Sequence, residues 1–178
     1  MSTLDRLTFR RALAADAEAV AALVNSAYRG DSSRAGWTTE ADLLGGQRTD
    51  AGEILELAEM PGSLILLASN DAETVGSVHL QRVDGETACL GMLVVKPVLQ
   101  DRGLGKQLIQ AAEAWVRREW HAMRVEMQVI ALRRELIAYY QRQGYRCTGE
   151  FRKFPDDPRF GLPRIAGLRF EVLEKLLG

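Results

Sequence analysis

From Leu90 to Val95 the chain is apolar at every position except Gly91, and the run stops at Lys96-Pro97. An unbroken apolar run of this length, bounded by a turn signal, reads as a strand buried on both faces. The period changes at Leu104. Leu104, Leu108, Ala112, Trp115 and Val116 fall on one stripe, which predicts a helix from about Gly103 to Glu119. Upstream, Leu7 to Leu13 predicts a first strand, and a helix begins at Asp16 with Val20, Leu23, Val24 and Ala27 on one face. Tyr28 to Trp37 is a polar loop holding two aromatic residues. Thr38-Thr39-Glu40 predicts a short helix that Gly45-Gly46 stops. Asp50, with Glu53 after it, is a capping pair for a helix carrying Ile54, Leu55 and Leu57, and Met60-Pro61-Gly62 ends that helix.

Strands follow at Ser63–Ala68, Thr74–Arg82 and Thr87–Val95, with turn signals at Asn70-Asp71 and Asp84-Gly85. After the long helix come a strand at Arg124–Ile130 and a helix from Arg134 to Gln143 ended by Gly144. Two more strands, Arg146–Phe151 and Leu168–Leu173, flank a Pro- and Asp-rich loop from Phe154 to Pro163. No internal repeat and no dividing linker is visible, so residues 1–178 are expected to form a single domain.

Between the central strand and the long helix lies Gln100-Asp101-Arg102-Gly103-Leu104-Gly105-Lys106. The first turn of a helix has N–H groups without intrahelical partners, and its dipole favours negative charge. Gly103 and Gly105 lack a Cβ that would keep an anion off the backbone. The turn is therefore expected to hold a phosphate or pyrophosphate. A P-loop is excluded, because Gln100 stands where its first Gly belongs and Gln107 where its Ser or Thr belongs. A dinucleotide fingerprint is excluded too, because Leu108 holds its third Gly position.

Composition narrows the function classes. The 178 residues are 47% hydrophobic and 26% charged, with a formal net charge of −1, which suits one soluble core and gives no broad cationic face for nucleic acid. Cys89 and Cys147 have no C-x-x-C spacing and read as free buried thiols in a reducing compartment. No apolar run approaches the ~20 residues of a membrane span. Met1 to Arg10 shows no secretory signal. A cytoplasmic protein without a bound metal is expected.

The pattern Q-x-x-G-x-G after the strand end Val95-Lys96-Pro97 resembles the acyl-CoA-binding motif of the GCN5-related N-acetyltransferase (GNAT) superfamily. Leu136 to Tyr145 is similar to the same family's A-x-x-x-Y-x-x-x-G-[FY] pattern. The resemblance implies an α/β fold: a mixed, mostly antiparallel sheet of about seven strands flanked by about four to five helices. Strands Thr87–Val95 and Arg124–Ile130 would be parallel neighbours that splay apart at their C-terminal ends. Acetyl-CoA would be the co-substrate, with its pantetheine arm on the backbone of Leu93 and Val95. Its pyrophosphate would sit on the N–H groups around Arg102, Gly103, Leu104, Gly105 and Lys106, beside Gln100. The family often has Asn where Arg133 stands, so Arg133 either reaches the cofactor or faces solvent.

The resemblance also assigns roles in the chemistry. Tyr140 matches the phenol that protonates the leaving thiolate. Residues 90–95 hold no acidic residue, so Glu126 and His79 on neighbouring strands are the candidate bases. Tyr28, Arg34, Trp37 and Arg48 are candidates for the acceptor pocket, and a basic lining would suit an amino acid. The expected activity is acetyl transfer to the amine of a small molecule or amino acid. A peptide or protein N-terminus, a non-catalytic acyl-CoA sensor and a toxin acting on aminoacyl-tRNA are the alternatives, and a homodimer stays open. The near-neutral charge argues against the tRNA substrate.

Overall fold

The apolar run beginning at Leu90 lies in the middle of a seven-stranded sheet. The computed structural model describes residues 6–29, 33–34, 36, 39–71 and 73–178. In chain order the elements are β1 (Thr8–Arg11), α1 (Ala17–Tyr28), β2 (Leu44–Gly45), α2 (Ala51–Glu59), β3 (Ser63–Asn70), β4 (Glu73–Arg82), β5 (Thr87–Val95), α3 (Leu104–Trp120), β6 (Arg124–Ile130), α4 (Arg134–Arg142), β7 (Arg146–Lys153), β8 (Leu162–Pro163) and β9 (Arg169–Leu176). The strand order is β1-β3-β4-β5-β6-β9-β7, and every pairing is antiparallel except β5 with β6. This is the mixed, mostly antiparallel sheet that the resemblance implied.

Both faces of the sheet are covered, which is why its central strands are apolar throughout. Leu64, Val78, Leu80 and Leu90 pack with Leu104, Leu108, Ala112 and Val116 of α3 and with Ile137 and Tyr140 of α4. Ile65, Leu67, Met92 and Val94 pack on the opposite side with Val20, Val24 and Ala27 of α1 and Ile54 of α2. The Asp50 carboxylate accepts from the Glu53 N–H at 2.8 Å and caps α2, as its spacing predicted. Gly144, at φ +95°, ends α4 in the left-handed region.

β5 carries a bulge. Ser77 pairs with Val94 and His79 with Gly91, so β5 spends one more residue than β4 over the same span, and Met92 sits at φ +45°. The extra residue turns Leu93 to the same face as Leu90. β5 pairs with β6 only from Thr87/Arg124 to Cys89/Glu126, and beyond that point the strands part.

Two expectations need correction. The helix expected at Thr38-Thr39-Glu40 is, over its described residues, a single turn: the Leu43 and Leu44 N–H groups both donate to the Glu40 carbonyl at 2.9 Å. The chain then enters β2, because Leu44–Gly45 pairs with Leu162–Pro163 from the segment read as an irregular loop. Cys89 and Cys147 are free, as read, but each is only half-buried. Burial pushes the Cys89 thiol up to about 11, so it stays protonated at neutral pH.

Candidate active site

Where β5 leaves β6, one edge of β5 has lost its partner, and its backbone groups need others. The Lys96 N–H donates to the Val75 carbonyl at 2.9 Å, toward β4. Alternation along a strand then turns the N–H and C=O of Val95, and of Leu93 before it, into the gap. The Leu93 carbonyl accepts from the Tyr28 hydroxyl at 2.5 Å, and the Val95 carbonyl accepts from Gln100 Nε2 at 3.0 Å. Side chains thus meet the two carbonyls on the side of β5 that β6 has left.

The gap continues into a groove of about 640 Å³ between β5, α3 and α4, lined by Leu93, Val95, Gln100, Gly103, Gly105, Lys106, Tyr139, Tyr140 and Arg142 among others. Gly103 has φ +75°, and a Cβ built there would meet nothing within 4 Å, so its backbone is open to a ligand. Gly105 differs, and corrects the sequence-based reason for a glycine there. A Cβ on Gly105 would lie 2.8 Å from the Tyr139 hydroxyl oxygen, so this glycine makes room for the phenol. Leu104 puts its side chain in the core and only its backbone at the helix start. Lys106 lines the groove, whereas Arg102 is exposed and does not line it.

A second, smaller cavity of about 90 Å³ lies inward of the groove. Its wall includes Tyr28, Arg29, Glu40, Arg48, Arg133, Phe154, Phe160 and Phe170. The two spaces share Tyr28, Leu93, Leu136 and Tyr140. Tyr140 is 5% exposed, wedged edge-on between Tyr139 and Tyr145. Among the described residues its hydroxyl has no hydrogen-bond partner. Burial holds its pKa well above the usual tyrosine value, with the nearby Tyr28 adding to the effect. It is therefore a neutral donor at physiological pH. Burial pushes Tyr28 up to about 12 as well.

Residues 19–145 match the model of the acetyltransferase (GNAT) family. The chain belongs to this family. Its members transfer acetyl groups from acetyl-CoA. The fold is shared with solved family structures at low identity. Spermidine/spermine N-acetyltransferase from Vibrio cholerae is 15% identical, with 98% of this chain and 95% of that one covered and a TM-score of 0.68. Ribosomal-protein-S18-alanine N-acetyltransferase from Escherichia coli is 14% identical, with 97% and 95% covered and a TM-score of 0.69. Ard1 from Thermoplasma volcanium is 18% identical, with 97% and 98% covered and a TM-score of 0.70. No curated protein matched the chain.

Within this GNAT fold the sequence-predicted site residues divide. Leu93, Val95, Gln100, Gly103, Lys106, Tyr28 and Tyr140 lie along the groove. Arg133 points elsewhere: it lines the inner cavity and faces Glu40 at 3.9 Å. Arg48 lines the inner cavity, but Arg34 makes an exposed ion pair with Asp42 at 2.8 Å and does not line it. Trp37 lies outside the described residues.

Neither candidate base lines either space. Glu126 sits at the foot of the splay, beside Arg124 at 3.8 Å and Arg152 at 3.9 Å. His79 is bonded to Ser63, with Nε2 2.8 Å from Oγ. Ser63 Oγ gives its one proton to the Leu57 carbonyl at 2.6 Å, so the His79 Nε2–H is the donor of that pair. Sequence reasoning missed Arg29, Glu40 and Arg142. Arg142 had a signal, its place three residues beyond Tyr139 on one helix face; Arg29 and Glu40 had none.

His79 has a consequence for stability. Burial, with the Arg48 charge adding to it, lowers its pKa from 6.5 to about 4. The unfolded chain takes up a proton below 6.5 and the folded chain only near 4. Stability is thus full above pH 6.5 and falls as pH drops toward 4, by roughly 3 kcal/mol in total from this group. Urea denaturation across that window should show this loss, and His79→Gln should remove about one proton from the slope. An unchanged slope in the variant would show that His79 does not cause it.

Proposed function

We propose that the protein transfers the acetyl group of acetyl-CoA to the primary amine of a small molecule, by direct attack within a ternary complex, with Tyr140 as general acid. The observation that carries this is the position of Tyr140, a buried neutral phenol with an unpartnered hydroxyl at the junction of groove and inner cavity. The groove suits the co-substrate because the backbone at Gly103 is open and Leu93 and Val95, at the parted edge of β5, line it. Bound acetyl-CoA supplies an activated thioester. Gly103 and the first turn of α3 hold the pyrophosphate, and Lys106 and Arg142 add positive charge along the groove. The N–H of Val95 stabilises charge on the carbonyl oxygen as the amine attacks. A C–N bond forms, the C–S bond breaks, Tyr140 gives its proton to the departing sulfur, and the proton shed by the new amide nitrogen returns through solvent to restore the Tyr140 phenol.

The acceptor must lose a proton to attack. Glu40 is the single carboxylate among the described residues lining the inner cavity, and its Oε2 is held by Arg29 at 3.1 Å. An amine that enters neutral suits this site better than one deprotonated by a side chain. A cavity of about 90 Å³ favours a small acceptor over a polypeptide end.

Gly103→Glu tests the co-substrate site. It sets a negative side chain where the pyrophosphate belongs and forces a non-glycine residue to φ +75°. We expect acetyl-CoA affinity, read by calorimetry on the folded variant, to fall at least tenfold, about 1.4 kcal/mol. Gly103→Asn, which tolerates the left-handed conformation, should fall less. Wild-type affinity in the Glu variant would remove the pyrophosphate from this turn.

A further inference from the structure

We infer that the acceptor carries a carboxylate together with its amine, held by Arg48, and an apolar side chain against the aromatic wall of the inner cavity. This names the substrate class and rests on the acetyl-transfer function proposed above. Among the described lining residues the ionisable groups of fixed charge are Arg29, Arg48, Arg133 and Glu40, three guanidiniums to one carboxylate. Arg29 is already committed to Glu40 and to the carbonyls of Gly45, Gln47 and Phe160. Arg133 faces Glu40.

Arg48 stands apart. Its backbone is fixed, with its N–H donating to Asn25 Oδ1 at 2.7 Å. Its guanidinium lies 6.0 Å from the centre of the Tyr28 ring, and Tyr28 also lines the junction with the groove. Among the described residues no carboxylate pairs with it. His79, which feels the Arg48 charge, is neutral above its depressed pKa and offers no counter-charge. A half-buried guanidinium at a cavity wall, without an anion, is a costly arrangement that a planar carboxylate relieves through two parallel hydrogen bonds. Phe154, Phe160 and Phe170 present apolar surface in the same cavity, with the Phe154 and Phe170 rings 5.3 Å apart. A polycation such as a polyamine would instead meet three like charges.

The test uses matched acceptors with the full-length chain and acetyl-CoA, measuring thiol release: leucine, leucinamide and isoamylamine; phenylalanine and phenethylamine; and spermidine. We expect kcat/KM for each acid to exceed that of its neutral-ended partner at least tenfold, with spermidine below both. Arg48→Gln should erase that preference through the acceptor KM and leave acetyl-CoA affinity unchanged by calorimetry. Arg48→Lys keeps charge without the fork and should recover part of it. Amines or spermidine used as well as the acids would overturn the inference, as would an Arg48→Gln variant that keeps the preference. Turnover of the amines but of no acid would overturn it alone, and acetyl-CoA binding with no turnover of any acceptor would overturn the acetyl-transfer function with it. Failure to bind acetyl-CoA would overturn the acetyl-transfer function as well.

Discussion

Tyr140→Phe is expected to lower kcat by ~10²–10⁴-fold, the span over which a positioned general acid acts. The ring stays, so its edge contacts with Tyr139 and Tyr145 at 5.4 and 6.1 Å stay as well. No described residue uses the hydroxyl as a hydrogen-bond partner, so its removal leaves no protein group unsatisfied. Stability and acetyl-CoA affinity should therefore change little, and kcat and kcat/KM should fall together. Steady-state kinetics with the best acceptor, beside a melting curve and a calorimetric titration, separates this from a packing role. An unchanged kcat would assign Tyr140 to packing alone. Tyr139→Phe is the control on the neighbouring ring. Its hydroxyl fits over Gly105, and its loss should change the groove without removing the acid.

The cofactor side of the site was legible in the sequence because it is local. One strand, one turn and one helix carry it, and each announces itself by period or by glycine. Strand β5 and helix α3 fall where the apolar patterns put them. The bulge at Met92 left no trace, because β5 is buried on both faces and a one-residue slip exchanges one apolar residue for another. Gly105 was read by rule, as space for a phosphate, when the occupant is a side chain from α4. The acceptor side is assembled from segments far apart in the chain. The pairing of β2 with β8 joins two short stretches with no strand pattern of their own. His79 and Glu126 were chosen by residue type on the right strands, but neither lines either space: His79 is bonded to Ser63, and Glu126 stands at the foot of the splay, where β5 and β6 are still paired.

Arg29 shows what that long-range assembly depends on, and Arg29→Met is expected to destabilise the fold by about 3–5 kcal/mol. The residue follows α1 directly and reads as the start of a polar loop, yet it is 5% exposed. Its guanidinium donates to Glu40 at 3.1 and 3.3 Å, to the carbonyls of Gly45 and Gln47 on the β2 side, and to the Phe160 carbonyl on the β8 side. One side chain thus ties together the two segments that close the inner cavity. Gly161 is shaped to admit it: φ is +114°, and a Cβ there would lie 2.6 Å from Arg29 Nη1. Methionine fills a similar volume but leaves the Glu40 carboxylate and three carbonyls without this donor, so the loss is mainly electrostatic. Urea denaturation of Arg29→Met, Glu40→Gln and the double variant should show a coupling of at least ~1 kcal/mol, with the double variant less unstable than the sum of the two. In the folded fraction the acceptor KM should rise while acetyl-CoA affinity holds, because the groove does not include Arg29. A loss under ~1 kcal/mol, or additive single effects, would mean that β2 and β8 hold the cavity closed without it.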